Sequence, residues 1–82
     1  MDLSNDLLKR FWFETAGHRG IGVTAYSVED AISLIDEEPT LAVEHITSVI
    51  EDVDIRDLDQ DHVIPNMGPV DFRGIWYPNL YL

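Results

Sequence analysis

Two runs of β-favouring residues, joined by a short glycine-containing stretch, constrain the fold of this chain more than any other feature. They are LKRFWFET (8–15) and IGVTAYS (21–27), and the stretch between them, AGHRG (16–20), has the composition of a turn. Side chains alternate across a strand, so Phe11 and Phe13 share one face of the first run. The matching face of the second run holds Ile21, Val23 and Ala25. We therefore predict a β-hairpin.

A helix is predicted directly after the hairpin. Ser27-Val-Glu-Asp30 has the form of a capping box, with Asp in the place of the usual Glu. Pro39 marks the end of the helix, because the residue before a proline disfavours helical geometry. Between the cap and Pro39, apolar residues recur at helical spacing along one stripe, namely Val28, Ala31, Ile32 and Ile35, with Leu34 at its edge.

The stretch 41–55 is ambiguous between a helix and a strand. As a helix it would group Ala42, Ile46, Val49 and Ile50. As a strand from residue 46 it would place one set on a common face: Thr47, Val49, Glu51, Val53 and Ile55. Val, Ile and Thr favour the strand, so we predict a helical turn over 40–45 and a strand after it. Residues 63–69 contain two prolines and a glycine and are expected to be irregular, and 72–77 is expected to form the last strand.

The predicted order is therefore ββαββ, an α+β fold with one helix across a mostly antiparallel sheet. This order resembles the β-grasp family, which includes ubiquitin-like proteins. The phrases GIGVTAYSVEDAISLI, VIEDVDIRDLDQDHVIPNMG and RGIWYPN also resemble small acidic bacterial and phage proteins. The second resemblance implies a bacterial or phage setting and no particular activity.

The charge of the chain is strongly one-sided. Sixteen acidic residues against five basic ones give a formal net charge of −11 at pH 7. The charge is concentrated in residues 29–61, which hold twelve acids and one base, Arg56. Binding to phosphates requires the opposite sign, so direct nucleic-acid binding is excluded. A protein with a basic surface is the natural partner, although acidity that serves only solubility stays open.

Length and composition favour a single cytoplasmic domain spanning residues 1–82. The chain has no cysteine, which suits a reducing compartment, and its first residues carry acids, unlike a secretory signal. No apolar run approaches the roughly 20 residues of a membrane span, so no membrane contact is expected. The oligomeric state stays open, and a dimer is among the alternatives.

The stretch DLDQDHVIPNMG begins like a calcium loop, with carboxylates at its first, third and fifth positions. An EF-hand loop needs glycine at position six and glutamate at position twelve. The chain has His62 and Gly68 there, so an EF-hand is excluded. A weak divalent-metal site formed by Asp57, Asp59 and Asp61 is the alternative to a solvated acidic turn.

Motifs for catalysis are not found in the sequence. His18, His45 and His62 show no ligand spacing, and no serine sits in a GxSxG elbow. The glycines of GHRGIG lie between two predicted strands rather than between a strand and a helix, as a phosphate loop requires. We therefore expect no catalytic residue and no cofactor.

These patterns predict a non-enzymatic protein-binding module of the inhibitor or immunity type. A carboxylate surface would meet a basic groove of a toxin or a nucleic-acid-handling enzyme through Glu37, Glu38, Glu51, Asp52, Asp54, Asp57, Asp59 and Asp61. Aromatic anchors would be supplied by Trp76, Tyr77 and Tyr81, extended by Trp12 and Tyr26, unless the small core uses them. One alternative is a ubiquitin-like or accessory protein of β-grasp type that acts through its sheet face and C-terminal tail, and another is a weak divalent-metal-binding protein.

Overall fold

The computed structural model describes residues 8–17, 20–39, 41 and 45–78. The chain has an α+β fold, with helix α1 between the second and third strands of an antiparallel sheet, and the predicted ββαββ order is confirmed. The elements are β1 (Lys9–Thr15), β2 (Gly20–Ala25), α1 (Val28–Asp36), β3 (Ile46–Glu51) and β4 (Gly74–Tyr77). Two single-turn 3₁₀ helices, Ile55–Asp57 and Ile64–Asn66, lie between β3 and β4. The strands are arranged in the order β3-β1-β2-β4.

The first core lies between the hairpin and α1, as the sequence predicts. In the β1–β2 register Phe11 pairs with Val23 and Phe13 with Ile21, so their side chains share one face of the sheet. The helix buries Ala31 and Ile35 against this face. Burial of so many large apolar side chains on one face stabilises the hairpin and the helix together.

The N-terminus of α1 is capped by the predicted residues in a modified arrangement. Ser27 Oγ accepts a hydrogen bond from the backbone N–H of Asp30 at 3.0 Å. The carboxylate of Asp30 accepts from the N–H of Tyr26 at 3.1 Å, one residue before the position that a capping box uses. Arg73 Nε also donates to this carboxylate at 2.9 Å, which ties α1 to the segment before β4.

The ambiguous stretch contains a strand, but that strand is shorter than predicted. β3 ends at Glu51 because Asp52 adopts φ 55°, a left-handed conformation that Asp tolerates better than most residues. Val53 then packs with Trp12 on the opposite side of the sheet from the first core, which contains Phe13. The single face predicted for 47–55 is therefore wrong beyond residue 51. The predicted helical turn at 40–45 falls mostly outside the described residues.

A second core covers the other face of the sheet. The segment after β3 folds back over it and buries Trp12, Val53, Leu58, Val63 and Trp76. The β2–β4 register shifts between Gly22 and Val23, so neighbouring residues Trp76 and Tyr77 both pack in this core. With α1 on one face and this segment on the other, the hairpin strands are buried on both sides.

No helix in the described part of the chain is long and apolar enough to cross a membrane.

Candidate acidic cleft

A cleft of about 470 Å³ lies where the segment after β3 folds back beside β1 and β3. Its apolar lining consists of Trp12, Ile50, Val53, Leu58 and Val63. Five carboxylates also line it: Glu14, Asp52, Asp54, Asp57 and Asp59. Four of the five apolar residues are buried, whereas four of the five acids are exposed, so the acids surround an apolar interior. None of these ten lining residues is basic.

Two of the five carboxylates, Asp54 and Asp59, accept hydrogen bonds from residues of the segment after β3. Arg56 donates from Nε to Asp54 Oδ1 at 3.2 Å and from Nη2 to Oδ2 at 2.8 Å. These bonds, together with the backbone N–H of Arg56, lower the pKa of Asp54 to about 2. Asp59 Oδ1 accepts from the backbone N–H of Asp61 at 2.8 Å, which lowers the pKa of Asp59 and closes the turn that follows it.

Glu14 has a structural role as well as a place in the cleft. Its carboxylate accepts a hydrogen bond from Trp12 Nε1, two residues earlier on the same side of β1. The indole of Trp12 packs against Tyr77, with ring centroids 5.5 Å apart, and against Trp76 at 6.0 Å. The hydrogen bond to Glu14 and the contacts with these two tilted rings together fix the orientation of the indole at the cleft wall.

The remaining two carboxylates are the most available to a ligand. Asp52 and Asp57 are exposed, and neither side chain makes a hydrogen bond or salt bridge to the described residues. Asp52 lies at the left-handed turn that ends β3, and Asp57 ends the 3₁₀ turn after it. Because neither carboxylate is in an ion pair with the described residues, a cation that enters the cleft can contact both without breaking one.

The structure divides the predicted carboxylate surface. Asp52, Asp54, Asp57 and Asp59 come together in the cleft, but Asp61 is not among its lining residues. Glu51 pairs with Phe11 in the register and therefore projects on the α1 side of the sheet. Glu37 and Glu38 follow α1, on that same side. Contiguity in sequence suggested one surface, whereas the fold places its acids on two faces.

Six of the ten lining residues were not predicted as part of this surface: Trp12, Glu14, Ile50, Val53, Leu58 and Val63. The alternation of β1 places Trp12 and Glu14 on one side, so a signal was present in the sequence. The sequence does not, however, indicate that β1 pairs with β3, and in this pairing Trp12 lies opposite Ile50. That pairing places the β1–β2 hairpin beside the acidic segment, residues 29–61.

The predicted aromatic anchors are mostly not exposed. Trp76 is 1% exposed and Trp12 is 8% exposed, so neither belongs to an accessible aromatic surface, and the expectation for Trp76 is wrong. The two indoles are buried because the β2–β4 register shifts and because each ring packs over a glycine of β2. Tyr77 is half-buried, and Tyr81 lies outside the described residues. The exposed aromatics of the described part are Phe72, at 71%, and Tyr26, at 43%.

The geometry does not support the metal-binding alternative. Within the described ranges, no group of three or more His, Asp or Glu side chains converges in a way that could hold a metal ion. His62 Nδ1 lies 2.9 Å from Asp59 Oδ2, and both side chains are largely exposed at a turn. For the sheet-face alternative, α1 and the segment after β3 cover the two faces of the hairpin strands, whereas β3 stays exposed.

The chemistry of the cleft suits a cation with an aliphatic stem, because exposed carboxylates surround an apolar interior. Lys and Arg side chains have this form, since their methylene stems bury against apolar surface while the charged end stays near water. In comparisons with protein-family models, curated proteins and solved structures, nothing matches the chain.

Proposed function

We propose that this chain is a non-enzymatic binding module that holds a basic segment of a partner protein in the acidic cleft. The observation that carries the proposal is the lining of the cleft, where five carboxylates surround an apolar interior and none of the ten described lining residues is basic. Residues 45–61 around it contain six acids and one base, Arg56, which is itself engaged with Asp54. Its field therefore attracts cations and repels anions.

The contacts supply both parts of a specific interaction. Asp52 and Asp57 offer carboxylates, and each exposed pair with Lys or Arg contributes about 0.2–1 kcal/mol. Ile50 is 49% exposed at the cleft, so burying it against the stem of a basic side chain adds an apolar contribution. Charge steers the encounter and the apolar contact slows dissociation.

The class of partner follows from its charge. A toxin or nucleic-acid-handling enzyme has the basic groove that complements such a surface, and an acidic protein that occupies this groove would act as an inhibitor or immunity protein. The absence of cysteine suits a cytoplasmic setting for this interaction.

A matched pair of variants tests the proposal by capture of the partner from an extract of the source cell. Asp52→Asn with Asp57→Asn removes two charges from the cleft. Asp36→Asn with Glu37→Gln removes two charges from the α1 side of the sheet. We expect the wild type and the α1 variant to retain one basic protein at about 50 mM salt, and the cleft variant to bind it about tenfold more weakly.

Salt provides the second readout, because screening shortens the range of these charges from more than about 10 Å to about 4 Å as salt rises to about 500 mM. Capture should therefore fall steeply over this range. Equal losses in the two variants would show that net charge alone matters. Capture that is insensitive to salt and to the cleft variant would refute the proposal.

A further inference from the structure

β3 is an outer strand of the sheet, next to β1 and with no strand described on its other side. Five of its six residues are exposed, Thr47 to Glu51. Two of them are large apolar side chains, Val49 at 36% and Ile50 at 49% exposed. An outer strand presents unpaired backbone N–H and C=O groups along its free edge, which another extended segment can pair with.

The ends of β3 are protected, but its middle is open. The β1–β3 register shifts between Glu14 and Thr15, which places an irregularity near the start of β3, and the left-handed turn at Asp52 follows its end. Bulges, prolines and inward-pointing charges are the usual protection against edge pairing. The stretch 47–50 contains no proline and no charged residue. These four residues therefore remain open for pairing.

The free edge of β3 leads directly to the cleft. Ile50 lies opposite Trp12 in the register and projects on the cleft side, whereas Val49 lies opposite Phe13 and projects on the α1 side. A strand added beside β3 would place every second side chain on the cleft side, next to Ile50. The distance between such side chains, about 7 Å, suits successive contacts with separate carboxylates of the cleft.

We propose that β3 binds an extended basic segment of the partner as a fifth strand, with Lys or Arg at alternate positions directed over the acidic cleft. This inference rests on the proposed function and specifies the form in which the partner is recognised. Charge selects the occupant, since a second copy of this chain would bring another −11 to the same edge. A basic strand instead supplies backbone pairing and charge complementarity together.

Backbone amide resonances of the full chain, followed on titration with the peptide Lys-Val-Lys-Val-Lys-Val-Lys, test this mode of binding. The control is the same peptide N-methylated at its internal amides, which keeps the charges and removes the donors for strand pairing. We expect the unmodified peptide to shift the amides of 47–51 and to slow their hydrogen exchange at least about tenfold. The methylated peptide should bind at least about tenfold more weakly.

Each other outcome overturns a stated part of the inference. Equal binding of both peptides, with shifts confined to 52–59, would overturn strand addition and leave the proposed function standing. Binding by neither peptide would overturn both. Protection of 47–51 without peptide, increasing with protein concentration, would show that a second copy occupies the edge and would overturn the choice of a basic partner.

Discussion

The second core supports the wall of the cleft, and the substitution Gly22→Ala tests how tightly it is packed. Gly22 lies in the middle of β2, directly beneath the indole of Trp76. A Cβ added there would lie 2.3, 2.4 and 2.6 Å from three carbons of the ring, against about 3.5–4.0 Å for ordinary contact. The ring would have to move by more than about 1 Å, and Trp76 is 1% exposed, so no open space receives it.

The expected cost is a balance of two terms. Overpacking a filled core costs about 1–3 kcal/mol. Replacing glycine by alanine in a strand interior otherwise favours folding by roughly 0.5–1 kcal/mol, because glycine loses more backbone freedom on folding. The clash outweighs the entropy gain, and we expect Gly22→Ala to lower the free energy of unfolding by about 1–2 kcal/mol. For a chain this small, each kcal/mol lowers Tm by about 4–8 °C.

Urea unfolding measures this cost. The chain contains two tryptophans, Trp12 and Trp76, and both lie in the second core, so fluorescence reports directly on its packing. The urea midpoint should fall while the slope m stays constant, since the surface exposed on unfolding hardly changes. Circular dichroism provides an independent probe, which is also needed when Trp76 is replaced.

A double-mutant cycle separates the clash from a general effect of alanine. In a Trp76→Phe background the smaller ring leaves room for the added methyl group, so Gly22→Ala should cost less than half as much there. If the two substitutions were additive, or if Gly22→Ala raised the stability of the wild type, the contact between Gly22 and Trp76 would not limit the packing of this core.

Three further predictions concern the helix cap, its ion pair and an exposed aromatic. Ser27→Ala removes the cap of α1 and should lower the free energy of unfolding by about 1 kcal/mol in urea, whereas an unchanged midpoint would exclude this role. Arg73 and the N–H of Tyr26 lower the pKa of Asp30 from 3.8 to about 2. The ionised Asp30 carboxylate therefore stabilises the folded state above about pH 4, and this contribution is lost as the pH falls towards 2. Tm of Asp30→Asn should therefore fall less between these pH values than Tm of the wild type, a difference that Asp36→Asn should not reproduce. Phe72 is 71% exposed, so Phe72→Ser should change the free energy of unfolding in urea by less than about 0.5 kcal/mol. A larger loss would mean that Phe72 packs in the native state.

The local elements were predictable because their signals lie close together in sequence. Alternation placed Phe11 and Phe13 on the face that α1 covers, and helical spacing placed Ala31 and Ile35 against it. The Ser27 cap was also readable from a few neighbouring residues. The strand after residue 45 was favoured by its β-branched residues, but its end was not, because Asp52 leaves the strand through a backbone conformation that composition does not specify.

The cleft was predictable only in part. The amount of charge in the acidic segment is a property of the sequence, and four of the eight predicted acids do line the cleft. Trp12, however, comes from a distant part of the chain, because it meets Ile50 only through the β1–β3 pairing. Trp76 was predicted as an anchor since tryptophan is enriched at interfaces, yet the shift in the β2–β4 register and the glycine beneath its ring, Gly22, make room to bury it.

By itself, then, the sequence determined the order of the elements, the apolar face of each and the sign of the charge, since all of these depend on residues a few positions apart. The tertiary structure decided which carboxylates are neighbours and which aromatics are buried. It did so through long-range strand pairing, the left-handed turn at Asp52 and two side chains packed on Gly20 and Gly22. These features depend on contacts between distant parts of the chain, where the free energy of packing outweighs local preference.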